Sequence, residues 1–192
     1  DDHVRGLHDL LVAAKSARFS CSLALTQKEF VSLAKIYSSK QSKIPSGPEE
    51  LYRCLETLRD RQQQTGSVHH RWATIDKLLC QTVVGQPINF RLTALSPSDQ
   101  MLSRTQQFMI NYLNLVKSGY SEPRLLPGCP NDVAVALLLE ICGRQVLFGS
   151  DLEQEANQFV GWSAVIASET IKASGKACVF KVAHHGAISG HS

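Results

Sequence analysis

The sequence predicts a single α/β domain in which amphipathic helices alternate with short strands. Helical spacing of apolar residues dominates the first two thirds of the 192-residue chain, and strand-like runs dominate the last third. In addition, residue types that bind metal ions follow two of the predicted strands. A chain of this length, 43% hydrophobic, is long enough to bury one sizeable core.

The N-terminal part is predicted to be mainly helical. Residues 6–15 place their leucines on one helix face, and residues 18–23 alternate as a strand does. Thr26 and Glu29 form a capping-box pattern before a second helix, and Pro48 suits the first position of a third, which Gly66 ends. We interpret residues 26–80 as a helical insertion within the domain.

The remainder of the chain is predicted to contain two helices and four strands. Residues 89–95 alternate as a strand, and the helix begins after the turn at 96–99. Residues 133–141 form an apolar run typical of a strand buried on both faces. A turn leads to a strand at 145–148, a helix is expected over 153–170 with a break near Gly161, and residues 178–182 form the last strand.

Potential metal ligands occur at three places along the chain. Asp2 and His3 precede the first helix, Asp151 follows the strand 145–148, and His184 and His185 follow the strand 178–182. Loops at strand ends are where α/β sheets collect functional groups. Imidazole and carboxylate ligands together suit zinc, manganese or iron. Taken singly, each has a plainer interpretation: a solvated terminus, a helix cap and a surface turn.

Amino-acid composition bears on the partners and the cellular location of the protein. The net charge is +3, from 20 basic and 17 acidic residues without a run of like charge, so the charge neither supports nor excludes nucleic acid as a partner. The longest apolar run, 133–139, is too short to span a membrane. Six scattered cysteines in apolar contexts indicate reduced core residues and favour the cytoplasm.

Four segments resemble the metallo-β-lactamase superfamily. Residues 1–7, DDHVRGL, resemble the end of its motif H-x-[HD]-x-D-H-x-x-G, and residues 147–153, LFGSDLE, resemble its segment with the bridging aspartate. Residues 180–187, FKVAHHGA, and the NDVA of residues 131–134 are similar to the branch that contains the hydrolase-like domain of the DNA-uptake competence protein ComEC. The resemblance implies an αββα sandwich, incomplete here because the chain begins inside the first motif.

The resemblance also implies roles for individual residues. Asp2 and His3 would bind one metal ion, Asp151 would bridge two, and His184 would be the late ligand, with His185 the second choice. We expect Zn²⁺, with Mn²⁺ as the alternative and two ions as the full complement. Asp2 and Asp151 would take part in catalysis.

Lys181 is left with two interpretations. It could face a substrate phosphate and so take part in catalysis, or it could be a lysine that protects a sheet edge from aggregation.

Some positions depart from the family pattern. A middle histidine ligand is absent where Ser96 precedes Pro97, and Ala187 replaces the usual serine. His69 and His70 are expected on a surface loop. Trp162 is expected to pack over the loop of the bridging aspartate.

Two functions of different classes follow. The first is a metal-dependent hydrolase in which a metal-bound hydroxide attacks a phosphodiester or related ester. The second is a degenerate member of the family that serves as a binding or scaffold module without catalysis. With half of the first motif missing, we expect the chain as given to be inactive.

Overall fold

The computed structural model describes residues 4–38, 47–82, 85–119 and 130–187. These residues form six α-helices and seven strands in a mixed α/β arrangement. The helices are α1 (Leu7–Ala13), α2 (Lys28–Ser38), α3 (Gly47–Thr65), α4 (Asp99–Lys117), α5 (Gly161–Ala167) and α6 (Glu169–Ala173). The strands are β1 (Phe19–Ser22), β2 (His70–Ala73), β3 (Lys77–Gln81), β4 (Phe90–Ala94), β5 (Leu137–Ile141), β6 (Arg144–Phe148) and β7 (Val179–Lys181).

The described residues divide into two compact units. One comprises those within 1–20, 25–71 and 109–127, and the other those within 21–24, 72–108 and 128–192. The assignment of the whole chain to one metallo-β-lactamase-like domain stays a prediction. Over the part of the chain that the structure describes, no helix combines the length and apolar character needed to cross a membrane.

The first unit is helical, and polar groups join α1 to α3 in it. The buried carboxylate of Glu50 accepts the backbone N–H of His8 at 2.9 Å. The His8 ring reaches the hydroxyl of Thr57 at 3.1 Å, and the Arg61 guanidinium donates to the carbonyl of Leu11. A buried carboxylate is tolerated here because it is hydrogen-bonded.

The second unit is built on a five-stranded sheet in the order β3-β4-β5-β6-β7. The pairs β3–β4, β4–β5 and β5–β6 are antiparallel, whereas β7 runs parallel to β6. Alternate residues of a strand face opposite sides of a sheet. Accordingly, Leu138 of β5 belongs to one buried apolar cluster, with Trp162 and Val165, and Leu137 packs against another, around Leu79. β1 and β2 form a separate two-stranded sheet.

Most sequence-based elements are confirmed, but four assignments are wrong. In the described part of the range 26–80, the last helix ends at Thr65; the residues that follow form β2 and nearly all of β3, and β3 joins the large sheet. His70 therefore begins a strand and is not on a loop. Whether the range is an insertion stays a prediction.

The predicted helix over 153–170 begins only at Gly161. Residues 152–160 form a loop instead, in which the side chain of Asn157 accepts the N–H of Phe159 and competes with helical hydrogen bonding. The strand predicted for 133–141 is shorter, since residues 130–133 form a 3-10 turn, and most of β5 is only partly buried.

The turn between β2 and β3 is hydrogen-bonded to the start of α6. Asp76, with φ of 57°, accepts the N–H groups of Glu169 and Thr170 at 3.2 and 3.0 Å. Burial alone would raise the pKa of the Asp76 carboxyl, but these bonds and those from the Thr170 and Ser168 side chains outweigh it, so the pKa lies below its usual value of 3.8.

We expect Asp76→Asn to lower the free energy of unfolding by about 1 kcal/mol at pH 7, because one charge-assisted acceptor is lost. Asparagine tolerates a positive φ, so the substitution should add no backbone strain at position 76. Since the folded pKa is depressed, the carboxylate stabilises fully above pH 3.8, and the difference from the unchanged protein shrinks as pH falls through the folded pKa. Urea unfolding at pH 7 and pH 3 measures this, with the exposed Asp60→Asn as control; an equal loss at both pH values would contradict it.

Candidate functional site

The loops after β6 and β7 lie side by side at one edge of the five-stranded sheet. The N–H of Gly149 donates to the carbonyl of Lys181 at 3.0 Å, and the N–H of His184 donates to that of Ser150 at 2.9 Å. Because the two strands are parallel, their carboxyl ends meet at this edge. The structure thus brings Asp151, His184 and His185 together.

The backbone of these loops is unusually tight. Ser150, His184 and His185 have φ values of 52°, 46° and 52°, in the left-handed region that side-chain-bearing residues seldom adopt. His184–Gly186 forms a single 3-10 turn. Such conformations cost of order 1–3 kcal/mol each and cluster at functional sites, so their occurrence at three positions supports a functional role for these loops.

Close approach of the two loops also depends on a residue without a side chain. A Cβ added to Gly149 would lie 2.7 Å from the Cβ of Ala183 and 2.9 Å from its Cα and nitrogen. Ala183 is fully buried, so there is little room for it to yield. Glycine at 149 therefore sets the separation of the two loops.

Asp151 and His185 form the first pair of candidate ligands. Oδ1 of Asp151 lies 3.7 Å from Nε2 of His185, with side-chain exposures of 23% and 66%. At this separation the groups attract each other only if the imidazole is protonated, and no hydrogen bond joins these two atoms.

His184 is paired with a carboxylate that the sequence analysis did not single out. Its Nδ1 lies 3.1 Å from Oε1 of Glu153, and its Nε2 lies 3.4 Å from the amide nitrogen of Asn131. The same amide donates to Glu153 at 2.7 Å. The rings of His184 and His185 are 6.5 Å apart, centre to centre.

An acidic pair lies next to this group. Burial raises the pKa of the Asp132 carboxyl to about 7, and the charge of Glu155 and a hydrogen bond to it act in the same direction. Arg104 opposes this rise, while its guanidinium binds both carboxylate oxygens of Glu155 at 2.8 and 3.1 Å. Glu153 adds a weaker upward effect.

Trp162 fixes the loop that connects these residues. It is buried, its indole N–H donates to the carbonyl of Leu152 at 3.0 Å, and its ring meets Phe180 edge-on at 5.8 Å. The prediction that Trp162 packs over the loop of Asp151 is confirmed.

The other predicted residues are not all placed together. Asp2 and His3 lie outside the described residues, so their role as ligands stays a prediction. Lys181 is exposed on β7, and its carbonyl is used by Gly149. His69 is bonded to Thr65, and His70 lies in β2, where burial, followed by the charge of His69, lowers its imidazole pKa.

Ser96 has a structural role at the position where the family pattern has a metal ligand. Its hydroxyl donates to the carbonyl of Ala134 at 2.6 Å and accepts the N–H of Ala136 at 2.7 Å. The side chain is buried, and these two bonds tie the loop after β4 to the segment that enters β5.

The donors do not form a complete ligand set. Among residues 4–38, 47–82, 85–119 and 130–187, no three histidine, cysteine, aspartate or glutamate side chains are grouped as a metal ion would require. Asp151–His185 and Glu153–His184 are pairs. In comparisons with protein-family models, curated proteins and solved structures, no match to this chain was found.

Glu153 and Asn131 were missed because their proximity to His184 is a tertiary effect. The sequence did contain a signal for Glu153, which lies two positions after Asp151. In an extended segment, side chains two positions apart lie on the same side. Asn131 lies in the NDVA segment that resembles the family, but its contact with His184 could not be predicted, because 53 residues separate the two.

We expect Gly149→Ala to destabilise the protein by about 1–3 kcal/mol, because the new methyl group overlaps Ala183 and must push the loops apart. Gly175→Ala is the matched control, since its Cβ would meet only the end of the Gln145 side chain, at 3.9 Å. Denaturant unfolding measures both. Equal midpoints for the two variants would show that the loops are not held at this separation.

The Asp132 carboxyl should titrate near neutral pH. Between pH 3.8 and about 7, Asp132 keeps its proton in the folded protein but is ionised in the unfolded chain. The free energy of unfolding therefore falls as pH rises across that range. Asp132→Asn should therefore gain stability relative to the unchanged protein over the same range. Urea unfolding at a series of pH values tests this. A stability difference between Asp132→Asn and the unchanged protein that is the same at every pH would contradict the raised pKa. Glu155→Gln should lower the pKa of Asp132, because it removes the charge of Glu155.

Proposed function

We propose that the chain provides part of the metal centre of a metallo-β-lactamase-like hydrolase acting on phosphodiester or related ester bonds. The observation that carries the proposal is the meeting of Asp151, His184 and His185 at the ends of two adjacent parallel strands. These are the residue types and the loop positions that the family resemblance implies. The proposed substrate class rests on that resemblance alone.

The layers of the second unit are compatible with the proposed sandwich, as they are with other α/β folds. A sandwich with helices outside needs a sheet that is apolar on both faces. Leu137 and Leu138 lie in different buried clusters, so the five-stranded sheet meets this condition. The proposed fold is an αββα sandwich.

The described donors fit a divalent ion in chemistry, although they do not complete its coordination. Asp151, His184 and His185 would hold Zn²⁺ or Mn²⁺, and Asp2 and His3 are proposed from the sequence as further ligands. When bound, the ion supplies Lewis-acid activation of water and of the ester. The chain's own groups would orient the ligands, and the cationic side chain of Lys181 near the same edge would favour an anionic substrate.

A second function is favoured by the bonds of Ser96. The side chain at the expected middle ligand position is committed to two backbone bonds, so it has a structural use in place of metal binding. A degenerate module that binds a partner without catalysis is consistent with this substitution.

Metal binding separates the two functions. We expect the metal-free 192-residue chain to take up Zn²⁺ or Mn²⁺ in equilibrium dialysis, with metal content measured by mass spectrometry. Asp151→Ala should weaken binding more than about a hundredfold, beyond the effect of losing a residue that only supports a ligand. Asp60→Ala, an exposed helical carboxylate, is the control and should bind as the unchanged chain does.

Two outcomes would overturn the hydrolase proposal. The first is an unchanged chain that binds no metal, which favours the binding module. The second is binding that survives in Asp151→Ala, because the ion would then be held elsewhere. Binding that is lost in this variant alone would justify a screen with phosphodiester substrates.

A further inference from the structure

Strand β7 forms one end of the five-stranded sheet and exposes apolar side chains there. Among the residues that the structure describes, its strand partner is β6 alone. All three residues of β7 are exposed. The apolar ones are Val179 and Phe180, and Val182 follows the strand; their exposed fractions are 54%, 45% and 43%. A sheet edge that presents apolar side chains beside its backbone groups is a template for a further strand.

The side chains of this edge divide between the two faces of the sheet. Because successive residues of a strand alternate, Phe180 lies on one face, and Val179 and Lys181 lie on the other. The residues that flank the strand, Cys178 and Val182, belong to the face of Phe180 by the same alternation. Cys178 is exposed, and its backbone N–H continues the pairing with β6 by donating to a carbonyl of that strand at 2.8 Å. One face of the edge is therefore apolar, and the other carries a single charge.

A second copy of this edge matches the first in one antiparallel register. A two-fold axis through Phe180 places its ring opposite the same ring of the second copy. On that face, Cys178 then lies opposite Val182 of the second copy, and the reverse pair completes the row. On the other face, Val179 lies opposite Lys181 of the second copy. Cross-strand pairs of aromatic and aliphatic side chains stabilise a sheet, and no like charges are directly opposite each other in this register.

Charge favours this register over its two neighbours. With the axis moved to Lys181, the two lysines would lie directly opposite each other, which is unfavourable. With the axis moved to Val179, Val182 would lie opposite Lys176 of the second copy, and Phe180 would lose its aromatic partner. The axis through Phe180 pairs ring with ring and keeps the lysines on a diagonal.

We propose that β7 is a self-association edge, which pairs antiparallel with β7 of a second copy about a two-fold axis at Phe180 and joins two five-stranded sheets into one continuous sheet. A two-fold contact uses the same surface on both copies and closes on itself, so dimers form and longer assemblies do not. One short strand pair buries less than the roughly 1,200 Å² of a stable interface, so the association is weak and depends on concentration. It is independent of metal binding and of the function proposed above.

Sedimentation equilibrium of the reduced, unchanged chain tests the association. Over a range from about 10 µM to about 1 mM, we expect monomers at the lowest concentration and dimers at the highest. A chain that stays monomeric throughout would overturn the proposal and leave the edge to a strand of another protein. Assemblies that grow beyond the dimer would also overturn it, because the proposed contact closes. Neither result requires a variant to fold.

Substitution of Val179 tests whether β7 is the contact. Val179→Lys creates two pairs of directly opposed lysines with Lys181 and removes two apolar contacts, so we expect the dissociation constant of the dimer to rise at least about tenfold. Val68→Lys is the matched control, because it makes the same change at a valine that is 55% exposed between α3 and β2, and it should associate as the unchanged chain does. Adding Lys181→Glu to Val179→Lys should restore association, since each lysine then faces a glutamate. Equal association of Val179→Lys and the unchanged chain would place the contact elsewhere and refute the proposal.

A disulfide trap tests the register. Directly opposed residues of antiparallel strands have Cα atoms about 4.5–5.5 Å apart, which a disulfide can span. Val182→Cys should therefore cross-link to Cys178 of the second copy under mild oxidation, and mass spectrometry of the digested dimer should identify this linkage. Val68→Cys is the control and should give no more cross-linked dimer than the unchanged chain. A main product that links the two copies of residue 182 to each other would contradict the axis at Phe180.

Discussion

The parallel pairing of β6 and β7 is the constraint on which the candidate site depends. Parallel neighbours need a crossover connection, here residues 149–178, which contains the loop with Asp151 and Glu153 as well as α5 and α6. The connection places the carboxylates and the histidine turn at the same edge. The bonds between Gly149 and Lys181 and between His184 and Ser150 continue the pairing beyond the strands.

Charged and polar side chains at this end of the sheet are arranged in pairs that share members or lie next to one another. Arg104 neutralises Glu155, Glu155 and burial together favour a protonated Asp132, and Asn131 beside it is shared between Glu153 and His184. Asp132 and Glu155 can lie close together because the Arg104 guanidinium offsets the charge of Glu155 and the raised pKa of Asp132 favours its neutral form.

Sequence patterns predicted the elements that local spacing determines. The long helices α3 and α4 have apolar residues at helical intervals, and β6 and β7 are bounded by turn residues, so each could be found without its neighbours. β2 and β3 were missed because their sequences, HRWA and KLLCQ, lack the alternation of apolar and polar residues that is typical of a half-buried strand. In the candidate site, Asp151 and the two histidines could be predicted because they follow strands. The contacts of Asn131 with Glu153 and of Arg104 with Glu155 could not, because 22 and 51 positions separate the partners.

The contact between Gly149 and Ala183 bears on how this protein can vary over evolution. A Cβ at position 149 would meet the backbone Cα and nitrogen of Ala183 at 2.9 Å as well as its side chain, so no substitution at 183 would make room for it. Relatives of this chain that keep the two loops at this separation should therefore keep glycine at 149. An unvarying glycine would mark this loop pair in an alignment even where the histidines themselves have been replaced.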